Sequence, residues 1–409
     1  MNDRSKQEML ERILAESRQI RGVSLWQDAW NRLRRNRTAL VSLVCLLCLA
    51  ILAIVTPLLP LQSPIDKDLN NRVFLAPNFQ SVTMGSRPGL KFADNSLSTE
   101  LSRFQESISE LRSEVESTPA PKQKAELLES IEERLRVEHP FNQMWNELGP
   151  VSWWMCETRV ALFGDFAIPS LFGTDKLGRD LLARVFWGGR VSLIVGIVAT
   201  MVSLIIGVRY GAVAGFFGGT IDAAMMRGVD MLYSIPFIFV VIFLVTFLGE
   251  DSVKARLDAI GIDQITIFYI VIGAIYWLTM SRVVRGQILS LRSEQFVESA
   301  RTIGASPFRI VFRHLVPNVL GVVIVYLTLT IPSVMLFEAF LSFLGLGVAP
   351  PDVSWGLLLN DGVEALSIIK VFWWGVVFPG GALAATLFAL NFLGDGIRDA
   401  LDPRMKNRD

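Results

Sequence analysis

Between residues 39 and 59 the chain carries no charged side chain. A helix over that stretch reaches across the hydrocarbon core of a bilayer, about 30 Å at a rise of about 1.5 Å per residue. In lipid every backbone N–H and C=O must be satisfied within the protein, so a run of this kind commits the chain to helical spans. Long apolar runs recur at about 191–208, 231–248, 265–280, 319–337 and 371–393. The expected fold is therefore an all-α integral membrane protein with six transmembrane helices. Composition agrees: 51% of residues are hydrophobic and 19% charged, with the apolar residues bunched rather than spread periodically as in a soluble domain.

The placement of charge gives the orientation. The first run follows 37 mostly polar residues with nine Lys or Arg, a flank too long for a secretory leader, so it reads as an uncleaved first span. With the N-terminus cytoplasmic, the inside segments 1–37, 209–230, 281–318 and 394–409 hold nine, two, six and four Lys or Arg. The short outside loops 249–264 and 342–370 hold only Lys254, Arg256 and Lys370. The positive-inside rule thus puts both termini in the cytoplasm. The expected organisation is a cytoplasmic segment (1–37), a first span (38–60), a periplasmic segment (61–187), a core of five further spans (188–394) and a cytoplasmic tail (395–409). Within the long external segment, Leu101, Phe104, Ile108, Leu111 and Val115 form one 3-4-3-4 stripe and Leu127, Leu128, Ile131 and Leu135 a second, separated by the TPAP run at 118–121. That pattern predicts a helical hairpin over about 97–138. A formal net charge of zero leaves no basic face for nucleic acid.

The loop 293–318, SEQFVESARTIGASPFRIVFRHLVPN, is the most informative stretch. Ser293 is placed to cap a short helix whose face carries Phe296, Val297, Ala300 and Ile303, and Gly304 supplies its left-handed end. Ser306 caps a second helix with Pro307 in its first turn, and Pro317 is expected to close that helix. The product is a rigid cytoplasmic knuckle between two spans. Glu298, Ser299 and Ala300, then Gly304, then Pro317, resemble the EAA loop of permease subunits of binding-protein-dependent ABC importers, with Ser299 in place of the middle alanine. FGTDKLGRDLLARV (172–185), GGTIDAAMMRGVDMLYSIPF (218–237), LSFLGLGVAPPDVSWG (341–356) and LGDGIRDALDPR (393–404) look like the C-type permeases of the peptide and nickel branch. SLWQDAWNRLRRNR (24–37) and PNVLGVVIVY (317–326) look most like its oligopeptide members. Residues 65–150 have no counterpart in the short members.

The resemblance implies a non-catalytic permease of the bacterial inner membrane whose EAA loop seats in a groove of an ATPase subunit. It implies a second homologous permease, two ATPase subunits that bind the ATP, and a periplasmic binding protein that delivers peptide. Dipeptides, nickel chelates and antimicrobial peptides are alternative cargoes within the same branch. A proton- or sodium-coupled carrier would need broken spans and several intramembrane acids. A membrane anchor with a working external domain would need a catalytic or metal cluster within 61–190. GTDKLGRD lacks the spacing of a phosphate loop, so no nucleotide cofactor is expected on this chain.

Glu338, acidic and near the outer end of span five, is a candidate for lining the pathway. Arg282 and Arg285 read as positive-inside anchors after span four. Cys45 and Cys48 have C-x-x-C spacing but lie inside the first apolar run, where they read as small packing residues. His139 and His314 have no partners at metal-ligand spacing and read as structural.

Overall fold

The computed structural model describes residues 25–70, 72–79, 82–83, 97–117, 121–145, 148–248, 250–258, 264–348, 350, 352–366 and 371–401. Most of the predicted N-terminal segment, the whole tail beyond residue 401 and most of the TPAP turn lie outside them. The architecture is almost wholly helical. A short amphipathic helix α1 (Leu25–Arg35) meets α2 (Arg37–Val55) at Asn36, whose side chain accepts from the Ala39 N–H. The external hairpin follows as α3 (Leu97–Ser117) and α4 (Pro121–Val137), then α5 (Pro140–Trp145) and α6 (Pro150–Phe163). The only sheet among the described residues is one antiparallel pair, Val82–Thr83 against Phe166–Ala167.

The membrane core consists of α7 (Leu181–Phe217), the bent pair α8 (Gly219–Ser234) and α9 (Phe237–Leu248), α11 (Gln264–Leu291), α13 (Val316–Phe343) and α15 (Trp374–Leu401). Shorter helices α10 (Asp251–Asp258), α12 (Gln295–Thr302) and α14 (Trp355–Glu364) lie between them. Among the described residues five helices are long and apolar enough to cross a membrane, or six when the bent pair counts as one span. The third predicted span, 231–248, is therefore not one straight rod. It breaks at Ile235–Pro236 and turns by 79°, because Pro236 has no N–H to give and disfavours helical geometry in the residue before it. Helix α9 alone, with 12 residues, reaches about 18 Å, short of the hydrocarbon thickness.

Helix α7 is 37 residues long, about 55 Å, so it extends well beyond the apolar run that announced it. At its C-terminal end Gly215, Phe216 and Phe217 are still helical, and Gly218 and Gly219, at φ +65° and +56°, form the turn into α8. The earlier glycine is needed for close packing. Ala199, Ser203, Gly207, Gly211 and Gly215 recur every four residues along α7 and meet α11. A Cβ on Gly207 would lie 2.6 Å from Met280 Cβ, and one on Gly211 would overlap the Ser281 carbonyl oxygen. From the other side, a Cβ on Gly273 would sit 2.7 Å from Val202 Cβ. Small residues let two helix backbones approach where apolar burial cannot drive association, because lipid is itself apolar. The sequence reading passed over this stripe, although its four-residue period is visible in the string.

The hairpin forms as expected. Phe104, Ile108, Leu111 and Val115 pack against Leu127, Ile131 and Leu135. Leu128 points outward, and Leu101 belongs instead to the cluster below, around Leu97, Phe141, Trp145 and Leu182. His139 roots the hairpin: it accepts from the Phe141 N–H at 3.2 Å and touches the rings of Phe104, Phe141 and Trp153. Burial pushes its pKa down to about 4, so it is neutral at physiological pH.

Candidate functional site

The knuckle is built by one helix end. Helix α12 stops at Gly304, where the Gly304 N–H donates to the Arg301 carbonyl at 2.9 Å and the Ala305 N–H to the Ala300 carbonyl at 3.0 Å. With Gly304 at φ +82°, this is the paired-bond termination that a left-handed residue permits. Ser306 then caps the following turn, accepting from the Arg309 N–H, with Pro307 behind it. Ser293 does not cap α12. The N-cap falls one residue later, on Glu294, whose side chain makes no cap bond.

Pro317 does not close the second helix. Residues Ile310–Leu315 form π turns, in which the Val316 N–H reaches back five residues to Val311, and Pro307–Phe343 is one continuous helical rod. A proline ring clashes with the carbonyl four residues back in a regular helix. Here Pro317 occupies the first turn of α13, directly after the widened segment, so the clash and the lost donor are both avoided. The knuckle is consequently the end of a span rather than a linker attached to it.

Its faces are divided. Val297 and Ala300 are buried among Phe216, Val284, Ile288, Ile310 and Val311, the ends of α7 and α11 and the base of α13. Ala300, the last residue of the EAA-like triplet, faces its own subunit. Glu298 and Ser299 are exposed, and the Ser299 hydroxyl donates to the Gln295 carbonyl at 2.8 Å. The tip presents Ile303 and Phe308, 86% and 73% exposed. Nothing lies within 4 Å of the position a Cβ on Gly304 would take. Beside the tip, Val213, Phe217, Pro307, Phe308, Val311 and Phe312 line an apolar groove of about 220 Å³.

Arg282 and Arg285 do more than flank a span. Arg285 grips Asp222 through two bonds of 2.5 and 2.7 Å, while Arg282 bonds Asp230 at 2.7 Å and lies over the Tyr233 ring. Both tie α11 to α8.

At the other end of the bundle, Asp175 accepts from Arg179 at 2.7 Å and from the fully buried Arg184. Asp361 on α14 sits within 3.5 Å of Arg179 and 3.3 Å of Arg184, and Lys176 bridges Asp361 and Glu364 at 3.0 and 2.8 Å. Burial works to raise the Asp175 pKa, but Arg184 and Arg179 outweigh it and hold the carboxyl below its ordinary value. The motif GTDKLGRD thus anchors α14 to the start of α7. The sequence offered the motif but not its partner nearly 200 residues away.

Glu338 lies at this end too, but it lines no open surface: its exposure is zero, and its neighbours are Ser192, Ser342 and Ser354. The pathway-lining role does not fit the conformation seen here, because a wall residue must present its side chain to the cavity.

Residues 207–407 match the family model described as the inner membrane component of binding-protein-dependent transport systems, and residues 24–77 match the N-terminal transmembrane domain of oligopeptide transport permease C. The chain is 48% identical over 233 residues to the oligopeptide transport system permease protein OppC of Haemophilus influenzae, covering 57% of this chain and 70% of that protein. Identity to OppC of Escherichia coli K12 is also 48%, with 72% of that protein covered. The dipeptide transport system permease protein DppC of Bacillus subtilis is 43% identical over 235 residues, 58% of this chain and 69% of the relative. With spans, capped knuckle and these likenesses in agreement, the chain belongs to the family of binding-protein-dependent transport system inner membrane components.

Proposed function

We propose that this chain is the permease subunit of an ATP-driven peptide importer, with oligopeptides as its cargo. It forms half of a pathway shared with a second homologous permease. Hydrolysis of ATP belongs to two separate ATPase subunits, and a periplasmic binding protein delivers the peptide. Both termini and the knuckle face the cytoplasm, in line with the distribution of Lys and Arg. The knuckle, Glu298 to Pro317, is the seat for the ATPase.

The observation that carries this reading is the exposed apolar tip of Ile303 and Phe308 at a turn from which one helix, Pro307–Phe343, runs unbroken into span five. Two large apolar side chains beside a tight turn are costly to leave in water and suit a groove on a soluble partner. The buried face of the same turn rests on α7 and α11, so a push at the tip reaches three spans together. The likeness to oligopeptide and dipeptide permeases supports a peptide cargo.

The test is uptake of labelled di-, tri- and pentapeptides by cells with and without the chain, run beside the variant Gly304→Asp. An added Cβ meets nothing within the subunit, and a left-handed non-glycine residue costs roughly 1–2 kcal/mol, so the variant should insert normally. The expected result is pentapeptide uptake that depends on the wild-type chain and is abolished by the variant, with fewer ATPase subunits co-purifying. Normal uptake by Gly304→Asp would exclude the knuckle as the point of transmission, and uptake by vesicles holding this chain alone would exclude the whole scheme.

A further inference from the structure

A carboxyl group sealed inside a membrane helix bundle is expensive unless every neighbour serves it. Two serine hydroxyls serve Glu338. The Ser342 hydroxyl, one turn further along α13, donates to Oε1 at 2.7 Å. The Ser192 hydroxyl on α7 makes a longer contact of 3.5 Å with Oε2, and Ser354, which caps α14, is buried in the same region. All four side chains are completely buried.

Behind each serine lies a further bond. Each serine oxygen accepts a backbone N–H: Trp355 on Ser192 at 3.1 Å, Val348 on Ser342 at 3.2 Å and Leu357 on Ser354 at 3.2 Å. A hydroxyl has one hydrogen to give, and from Ser342 and Ser192 it goes to Glu338. Two chains of the form N–H to O–H to carboxyl therefore converge on one group, each bond polarising the next. The backbone they hold is at Val348, after α13, and at Trp355, the first residue of α14. The first turn of α14 lies hard against α13: a Cβ on Gly356 would meet Ala339 Cα at 2.6 Å. The far end of α14 is pinned separately by the Asp361 and Glu364 ion pairs.

We propose that Glu338 is a positioning residue, a shared acceptor that fixes residues 344–348 and 352–357 onto spans two and five and so sets the outer mouth of the transport pathway. The part that concerns transport rests on the importer reading above; the part that concerns the segment does not. What the site demands is two acceptor oxygens rather than a given volume. Gln keeps the volume but turns an amide N–H₂ toward hydroxyl hydrogens, whereas Asp is shorter but keeps both acceptors.

The experiment measures amide hydrogen exchange over 344–357 in the purified transporter, together with peptide uptake at saturating substrate. Variants are Glu338→Gln, Glu338→Asp, Ser342→Ala and Ser354→Ala. Exchange should quicken about tenfold in Glu338→Gln, as expected when buried donors lose their acceptor, with Ser342→Ala and Ser354→Ala intermediate. Uptake should fall in the same order while ATPase subunits still co-purify, and Glu338→Asp should recover more uptake than Glu338→Gln. A packing role predicts the reverse ranking of Gln and Asp, and that ranking would overturn the proposal. So would wild-type exchange in both Glu338→Gln and Ser342→Ala, or faster exchange with undiminished uptake. If the wild-type chain imports no peptide, the importer reading fails, and the exchange data alone still decide whether Glu338 holds the segment.

Discussion

Adding one methyl group to two glycines of the same helix pair should move stability in opposite directions. Gly211 faces α11 so closely that a Cβ would overlap the Ser281 carbonyl oxygen and lie 3.0 Å from Val284 Cβ. A backbone oxygen cannot swing aside as a side chain can, so the helices must part. Overpacking of this kind costs about 3 kcal/mol at the upper end, while alanine returns about 1 kcal/mol of helix propensity. The net loss for Gly211→Ala is about 2 kcal/mol. Gly286 lies in α11 with nothing within 4 Å of its Cβ position, so Gly286→Ala should keep the propensity gain of about 1 kcal/mol. At roughly 2–4 °C per kcal/mol, the two variants should differ by about 6–12 °C in apparent Tm. The assay is thermal unfolding of the isolated subunit in detergent, followed by tryptophan fluorescence and by the monodisperse fraction surviving on size exclusion. A Gly211→Ala midpoint equal to or above that of Gly286→Ala would refute the claim that close backbone approach holds α7 to α11.

Asp175→Asn should destabilise the subunit by about 3–5 kcal/mol, because it leaves the buried Arg184 without its closest carboxylate, measurable in the same melts. The folded Asp175 pKa lies below its unfolded value, so its contribution is present above the ordinary carboxylate range, near pH 4, and is lost as pH falls through the folded value. A wild-type acid limb that survives unchanged in Asp175→Asn would count against this. Cys156 is buried in α6 and burial pushes its thiol up to about 12, so a soluble maleimide at pH 8 should label it only after denaturation; labelling of the native subunit at Cys156, read by peptide mass spectrometry, would contradict the packing around Leu61 and Trp145.

Elements that depend on one stretch of chain were legible without coordinates. The 3-4-3-4 stripes built the hairpin, with Leu128 and Leu101 the exceptions, because an amphipathic seam closes on its immediate neighbour. Gly304 and Ser306 took the roles their chemistry predicts, since a left-handed helix end and a hydroxyl cap are decided within a few residues. Errors arose where one local signal met another. Pro317 reads as a stop, yet the π turns before it absorb the ring. Pro236 reads as part of an apolar run, yet it bends that run by 79°.

By itself the sequence determined that this chain lies in lipid as helices, where the first loop helix turns, and which family it resembles. Those are properties of hydrophobic length and of backbone conformation at single positions. Only the tertiary structure decided that Ala300 turns inward, that GTDKLGRD clasps a helix nearly 200 residues away, and that Glu338 is sealed under three serines instead of facing a cavity. Hydropathy reports how much apolar surface a helix has, but which side meets which neighbour depends on crossing geometry and rotation, and these are set by contacts between segments far apart in the chain.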